Sequence, residues 1–235
     1  MMQEERDALG AAAGGMGTDA GPARTTAQTR VPMNEKRMRI ALFDYGTGNL
    51  HSLRKALEST GHTVAIENNP VPALHADAVV LPGVGAFGDA AAKLAPFADP
   101  LRRAFEQGLP CLGVCLGMQL LFDASEEGGG AGLGVLHGRV RRLRAQRVPQ
   151  MGWNAVEPGD DPLFEGGSLV GYYANSYVVE PDDAATVIAW TEYAGERFPA
   201  AVRRGRTWGV QFHPEKSGSE GLRVIRNFLE LAAAS

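Results

Sequence analysis

The segment that most constrains this chain is Cys111-Leu112-Gly113-Val114-Cys115-Leu116-Gly117-Met118-Gln119. An apolar run of strand length ends on a cysteine, with a glycine two residues before it and another two after, and a helix-like pattern follows. A nucleophile on a sharp strand-to-helix corner holds a strained backbone angle. Side chains two residues to either side would collide there, so glycine is favoured at both places. The corner also sets the sulfur over the start of a helix, whose partial positive charge favours a thiolate. Cys115 therefore reads as a nucleophile, and Cys111, inside the strand, as a small buried core residue. The Cys-x3-Cys spacing does not suit a dithiol redox site, which wants two intervening residues and both thiols at the helix start.

A matching base stands near the other end, where His213-Pro214-Glu215 follows the strand-like run Trp208-Gly209-Val210-Gln211-Phe212. Glu215 is placed to accept a hydrogen bond from one ring nitrogen and leave the other for the sulfur. His51, His62, His75 and His137 have no such setting and read as structural.

Around these residues the pattern is that of an α/β chain. Short apolar runs at 40–44, 63–66, 78–81 and 112–114 alternate with helical patterns at 50–57 and 101–107. The first helix carries the stripe Leu50, Leu53 and Leu57, with Asn49 as its N-cap and Gly61 as its end. This alternation predicts a mostly parallel sheet covered by helices on both faces. Beyond Leu133, short runs at 134–144, 155–156, 169–173, 176–179, 186–190, 200–203 and 208–212, set between Gly, Pro and Asp turns, predict extra antiparallel strands. A last helix is expected after a capping box, Ser217-x-x-Glu220, with the stripe Leu222, Ile225, Phe228 and Leu229. Residues 1–38 are rich in Ala, Gly and Thr, and the first aromatic is Phe43. They read as a disordered extension, with Met33 or Met38 as alternative starts, ahead of a single domain over 39–235.

Composition excludes several classes. With 44% hydrophobic residues in 235, a buried core is readily supplied. A net charge of −4 argues against nucleic acid as a partner. No apolar run approaches the roughly 18 residues of a membrane span, and the N-terminus lacks the basic and apolar blocks of a secretory signal. Two cysteines and scattered histidines give no disulfide framework and no metal cluster. The expectation is a cytoplasmic protein with reduced thiols, no metal and no cofactor.

Two glycine loops need separate readings. Gly83-Val84-Gly85-Ala86-Phe87-Gly88 has the Gly-x-Gly-x-x-Gly form of a dinucleotide loop, but Pro82 breaks the strand before it. The loop also follows the third strand rather than the first, and the next strand ends without an acidic residue. Its backbone N–H groups can instead serve an anion. Beside Cys115, Gly83, Val84 and Gly85 would form half of an oxyanion hole and the N–H of Leu116 the other half. The turn Tyr45-Gly46-Thr47-Gly48-Asn49 lacks the lysine of a P-loop and either shapes a rim of the cleft or simply turns the chain. Arg139, Arg141, Arg142, Arg144 and Arg147 form a basic run, read as a solvated strand face or, alternatively, as a contact for an acidic or phosphate-bearing partner.

Taken together, residues 44–50, 81–87, 112–122, 149–154 and 209–217 resemble class I glutamine amidotransferases, and among them the glutaminase subunits of imidazole glycerol phosphate synthase. The resemblance implies hydrolysis of glutamine to glutamate and ammonia by a Cys115, His213 and Glu215 triad. Ammonia would pass to a separate cyclase subunit that makes imidazole glycerol phosphate and aminoimidazole carboxamide ribotide in histidine biosynthesis. It further implies that Gln119, Glu127, Ser176 and Tyr177 bind glutamine, and that Met151, Trp153, Asn154 and Lys216 face the partner in a heterodimer. Gln150 and Asn175 depart from the pattern, standing where that subfamily commonly has histidine. The two amides are expected to lie together and hydrogen-bond. Competing readings are the glutaminase of a different amidotransferase, a cysteine peptidase of related fold, and a non-catalytic scaffold subunit.

Overall fold

The computed structural model describes residues 37–46, 50–83 and 85–234, and the extension expected over 1–36, the Asn49 cap and Val84 lie outside the described residues. The first half alternates strands and helices: β1 (Arg39–Phe43), α1 (His51–Glu58), β2 (Thr63–Glu67), α2 (Pro70–Ala73), β3 (Ala78–Leu81), α3 (Phe87–Leu94), α4 (Ala98–Glu106), β4 (Cys111–Val114) and α5 (Leu116–Gln119). The second half is mostly strands: β5 (Ala124–Ser125), β6 (Gly138–Arg142), β7 (Gln150–Pro158), β8 (Leu169–Asn175), β9 (Tyr177–Pro181), β10 (Val187–Tyr193), β11 (Glu196–Arg204) and β12 (Thr207–Val210), closed by α6 (Gly218–Ala233).

Nine strands form one sheet in the order β2-β1-β3-β4-β12-β11-β10-β7-β8. The first five run parallel, and from β12 onward each pairing is antiparallel. Strand β12, late in the chain, lies against β4, so residues that follow β12 emerge beside those that follow β4. That adjacency joins the two ends of the sequence into one site. A separate sheet, β5-β6-β9, packs at the side.

The parallel strands are buried on both faces. Ile40 and Leu42 of β1 join Leu53 and Leu57 of α1 and Val224, Ile225 and Phe228 of α6 in one core layer. Ala41 and Phe43 of the same strand join Phe87 and Leu94 of α3 and Leu101 and Phe105 of α4 in the other. Successive β1 side chains thus serve opposite layers, as the two-residue period of a strand requires. Gly61, at φ +89, ends the segment after α1 as expected.

Several expectations change. Packing begins one residue before the expected boundary at Arg39: Met38 is buried, and its carbonyl accepts from the Thr63 N–H. Helix α3 was not expected, because the glycine pattern of 83–88 masked its start. The capping box is not formed: the Ser217 side chain makes no cap bond to α6, and Glu220 instead accepts from the N–H of Val170 at 3.0 Å. The basic run divides: Arg142, Arg144 and Arg147 are exposed, as on a solvated face, while its first two members are paired. Arg139 pairs with Glu180, and Arg141 is buried between Glu180 and Glu196. Arg141 is therefore neither a solvated face nor an open contact surface.

Candidate active site

Cys115 joins β4 to α5 at φ 47 and ψ −104, a backbone region that residues other than glycine rarely adopt. Its N–H bonds to Val210 O at 2.7 Å and its carbonyl accepts from Gln119 N–H at 3.1 Å, so the strained residue is held from both sides. The flanking glycines are required by close approach. A Cβ on Gly113 would lie 2.6 Å from Gly117 O, and one on Gly117 would lie 2.0 Å from Leu81 O. The helix behind the sulfur is short. Helix α5 has four residues, so the charge of a long helix dipole is not at hand.

His213 follows β12 in an extended backbone. Its N–H bonds to Tyr172 O at 2.8 Å. The Ser217 hydroxyl donates to the His213 carbonyl at 2.7 Å and accepts from Tyr172 N–H at 2.9 Å. The serine misread as a helix cap therefore straps the histidine to β8. In the ring, Nδ1 lies 2.9 Å from Glu215 Oε1, and both side chains are nearly buried. With Nδ1 engaged there, Nε2 is the nitrogen left to interact with Cys115. Burial disfavours charge on this ring, but the hydrogen bonds and charges of Cys115 and Glu215 outweigh it and push the His213 pKa up to about 10. Cys111 behaves differently, as complete burial pushes its thiol well above the ordinary value.

Gly83 stands at the junction of nucleophile and base. A Cβ there would lie 2.8 Å from Cys115 Cβ and 3.0 Å from His213 Cε1. Gly85 adopts φ 109. Leu116 opens α5, where its N–H has no intrahelical acceptor. Gly83 and Leu116 are thus brought beside Cys115, while Val84 lies outside the described residues.

The expected glutamine binders fall into two groups. Gln119, buried, donates from Nε2 to Tyr177 O at 3.1 Å and to Gln211 Oε1 at 3.3 Å. Gln211, fully buried, donates in turn to Cys115 Sγ at 3.4 Å. Ser176 lies between β8 and β9 rather than in a strand. Glu127 sits farther along, its carboxylate accepting from the Phe87 N–H that opens α3 at 3.3 Å.

On the β7–β8 ribbon, Met151 and Trp153 are exposed. The Trp153 ring meets Tyr172 at 5.1 Å between centroids, and Tyr172 in turn lies 6.5 Å from the His213 ring. Lys216 Nζ stands over Tyr172 at 5.7 Å. Asn154 departs from this group: its amide turns to β10, donating to Thr191 Oγ1 at 3.1 Å. The strand's alternation puts it on the face opposite Met151 and Trp153. Gln150 and Asn175 are register partners and both are buried. The expected bond between them is not made. The Asn175 N–H group is spent on Tyr177 O at 3.1 Å, and Gln150 Oε1 and Asn175 Oδ1 have no partner among the described residues.

This arrangement is a thiol, an imidazole and a carboxylate beside a glycine loop, on an α/β sheet. The class it defines is glutamine amidotransferase class-I, whose family model matches residues 41–232. Solved structures share the fold. A glutamine amidotransferase crystal structure superposes with a TM-score of 0.67 at 24% identity, covering 82% of this chain and 98% of that one. PurLQS from Thermotoga maritima gives 0.67 at 21% identity, covering 83% and 99%. Among curated relatives, the imidazole glycerol phosphate synthase subunit HisH of Moorella thermoacetica is 48% identical over 82% of this chain and 94% of its own length. The same subunit of Halobacterium salinarum is 45% identical over 83% and 94%. The chain belongs to this HisH family within the class I glutamine amidotransferases.

Proposed function

We propose that this chain hydrolyses L-glutamine to L-glutamate and ammonia through Cys115, His213 and Glu215, as the glutaminase subunit of imidazole glycerol phosphate synthase. The observation that carries the reading is the convergence of the positive-φ Cys115 with an imidazole whose other nitrogen is held 2.9 Å from Glu215. The site would work as follows. The Cys115 thiolate attacks the side-chain amide carbon of glutamine, and backbone N–H groups at Leu116 and in the 83–85 loop receive the oxyanion. His213, protonated through neutral pH, gives its Nε2 proton to the departing ammonia. Water then attacks the thioester with His213 as base, releasing glutamate and restoring the thiolate and imidazolium pair. Glu215 holds the ring's orientation throughout.

Gln119, Glu127, Ser176 and Tyr177 are proposed to line the glutamine site. Free ammonia in water is protonated and loses its nucleophilicity, so the product calls for a docked acceptor. The proposed docking face for the cyclase subunit holds Met151, Trp153 and Lys216. The relatives' names support that partner, and with it a place in histidine biosynthesis. Residues 39–235 are proposed to form the glutaminase domain and to act in the cytoplasm. Among the described residues no helix is long and apolar enough to cross a membrane. The test is ammonia release from glutamine, with and without a cyclase subunit carrying its nucleotide ligand. Cys115→Ala is expected to abolish release while keeping the fold and partner binding, and substantial release by that variant refutes the nucleophile.

A further inference from the structure

We infer that Gln211 is a further catalytic residue, whose side-chain N–H donates to the Cys115 sulfur and favours its ionised form. The inference rests on Cys115 being the nucleophile. Its geometric basis is a buried relay of amides. Tyr177 O can only accept, so the Gln119 atom 3.1 Å from it is the nitrogen. That nitrogen can only donate, so the Gln211 atom 3.3 Å from it is the oxygen. The nitrogen of Gln211 is then the atom that faces Sγ at 3.4 Å. A backbone carbonyl thus dictates, two side chains away, that the sulfur meets a donor and not an acceptor.

Position reinforces the assignment. The Gln211 N–H bonds to Ala200 O at 2.8 Å, extending the ladder past β12. Two residues further on comes His213, so one extended segment delivers both of these groups to the sulfur. An amide donor interacts weakly with a neutral thiol and more strongly with a thiolate, and a site shielded from water amplifies the difference. Gln211 also supplies what His213 cannot. His213 must surrender its proton to ammonia and act as base in the second half-reaction. When water breaks the carbon–sulfur bond of the thioester, the electron pair returns to sulfur. The Gln211 N–H does not titrate, so it remains available to that leaving thiolate through both steps.

The test uses two full-length variants with the cyclase subunit present. Gln211→Glu keeps the shape and the oxygen that Gln119 needs, but when ionised places an acceptor against the sulfur. Gln211→Met is of similar length and makes neither bond, while Gln119 retains Tyr177 O. The readouts are the rate of Cys115 alkylation by iodoacetamide across pH, located by mass spectrometry, together with kcat and KM for glutamine and a thermal melt. Both variants are expected to alkylate about ten- to a hundredfold more slowly near neutral pH, the worth of one hydrogen bond to a charged group. Their pH profiles are expected to move upward, and kcat to fall more than KM rises. A parental alkylation profile in either variant that still melts near the parent overturns the proposal, even if turnover is reduced. Failure to label Cys115 in the parent would instead sink the nucleophile assignment itself, so the two failures are distinct.

Discussion

Substituting Gly83 with alanine tests the convergence of thiol and imidazole directly. Gly83 lacks a positive φ, so alanine's backbone is allowed there and the perturbation is the methyl group alone. That methyl would stand 2.8 Å from Cys115 Cβ, 2.8 Å from Val114 O and 3.0 Å from His213 Cε1. Carbon atoms pack at about 3.5–4.0 Å, so the three neighbours must open by roughly 0.5–1 Å. Val114 is fixed in β4, so the thiol, the imidazole or the glycine loop must yield. A displacement of about 1 Å at reacting groups costs about 10²-fold in rate. Overpacking costs about 1–3 kcal/mol, which at ~2–4 °C per kcal/mol for a domain of this size lowers Tm by roughly 2–12 °C. The assay is ammonia release with the cyclase subunit and its nucleotide ligand, beside a thermal melt. If Gly83→Ala keeps more than about a third of parental kcat, the methyl does not stand between the two groups and the convergence argument fails.

Two further predictions concern ionisation. The His213 value is raised from 6.5 to about 10, so its contribution to folding is fully present below pH 6.5 and is lost as pH rises through about 10. Melting temperatures taken across that window should fall toward alkaline pH, and Glu215→Gln, which removes one of the raising charges, should flatten the fall and reduce kcat by about 10²–10⁴-fold; an unchanged pH dependence in that variant contradicts the coupling. Cys111, completely buried and with its thiol pushed well above the ordinary value, should resist iodoacetamide in the native protein and react only after denaturation. Equal labelling of both cysteines under native conditions would show that β4 is more open than described.

The parts legible from sequence were those whose signals are local. Gly113, Cys115 and Gly117 announce the corner because the motif is contiguous in the chain, although only Gly113 answers a clash within the turn and Gly117 answers one with Leu81 of β3. His213-Pro214-Glu215 is legible because the carboxylate reaches the ring across only two residues. Signals set by tertiary partners were not readable. Ser217-x-x-Glu220 is a sound capping box by spacing, yet Tyr172, Val170 and the His213 carbonyl outcompete the helix for those two side chains. Gln211 lay hidden inside an apolar run, since nothing beside it shows that its amide meets Cys115 and Gln119 from far along the chain. A glutamine just past a central apolar strand was the one available sign, because such a group, once buried, needs partners. Asn154 and Gln150 share a face only once β7 is placed, and the strand's alternation then parts them from Met151 and Trp153.

The short bond from Cys115 N–H to Val210 O locks the frame in which β12 meets β4. An insertion or deletion of a single codon within β12 would rotate the segment beyond it by half a pleat, exchanging residues 211 and 213 for their apolar neighbours. Both partners of the sulfur would vanish in one event, with every residue of the elbow still in place. Transplanting this chemistry onto another scaffold therefore means moving the two neighbouring strands as a single cassette.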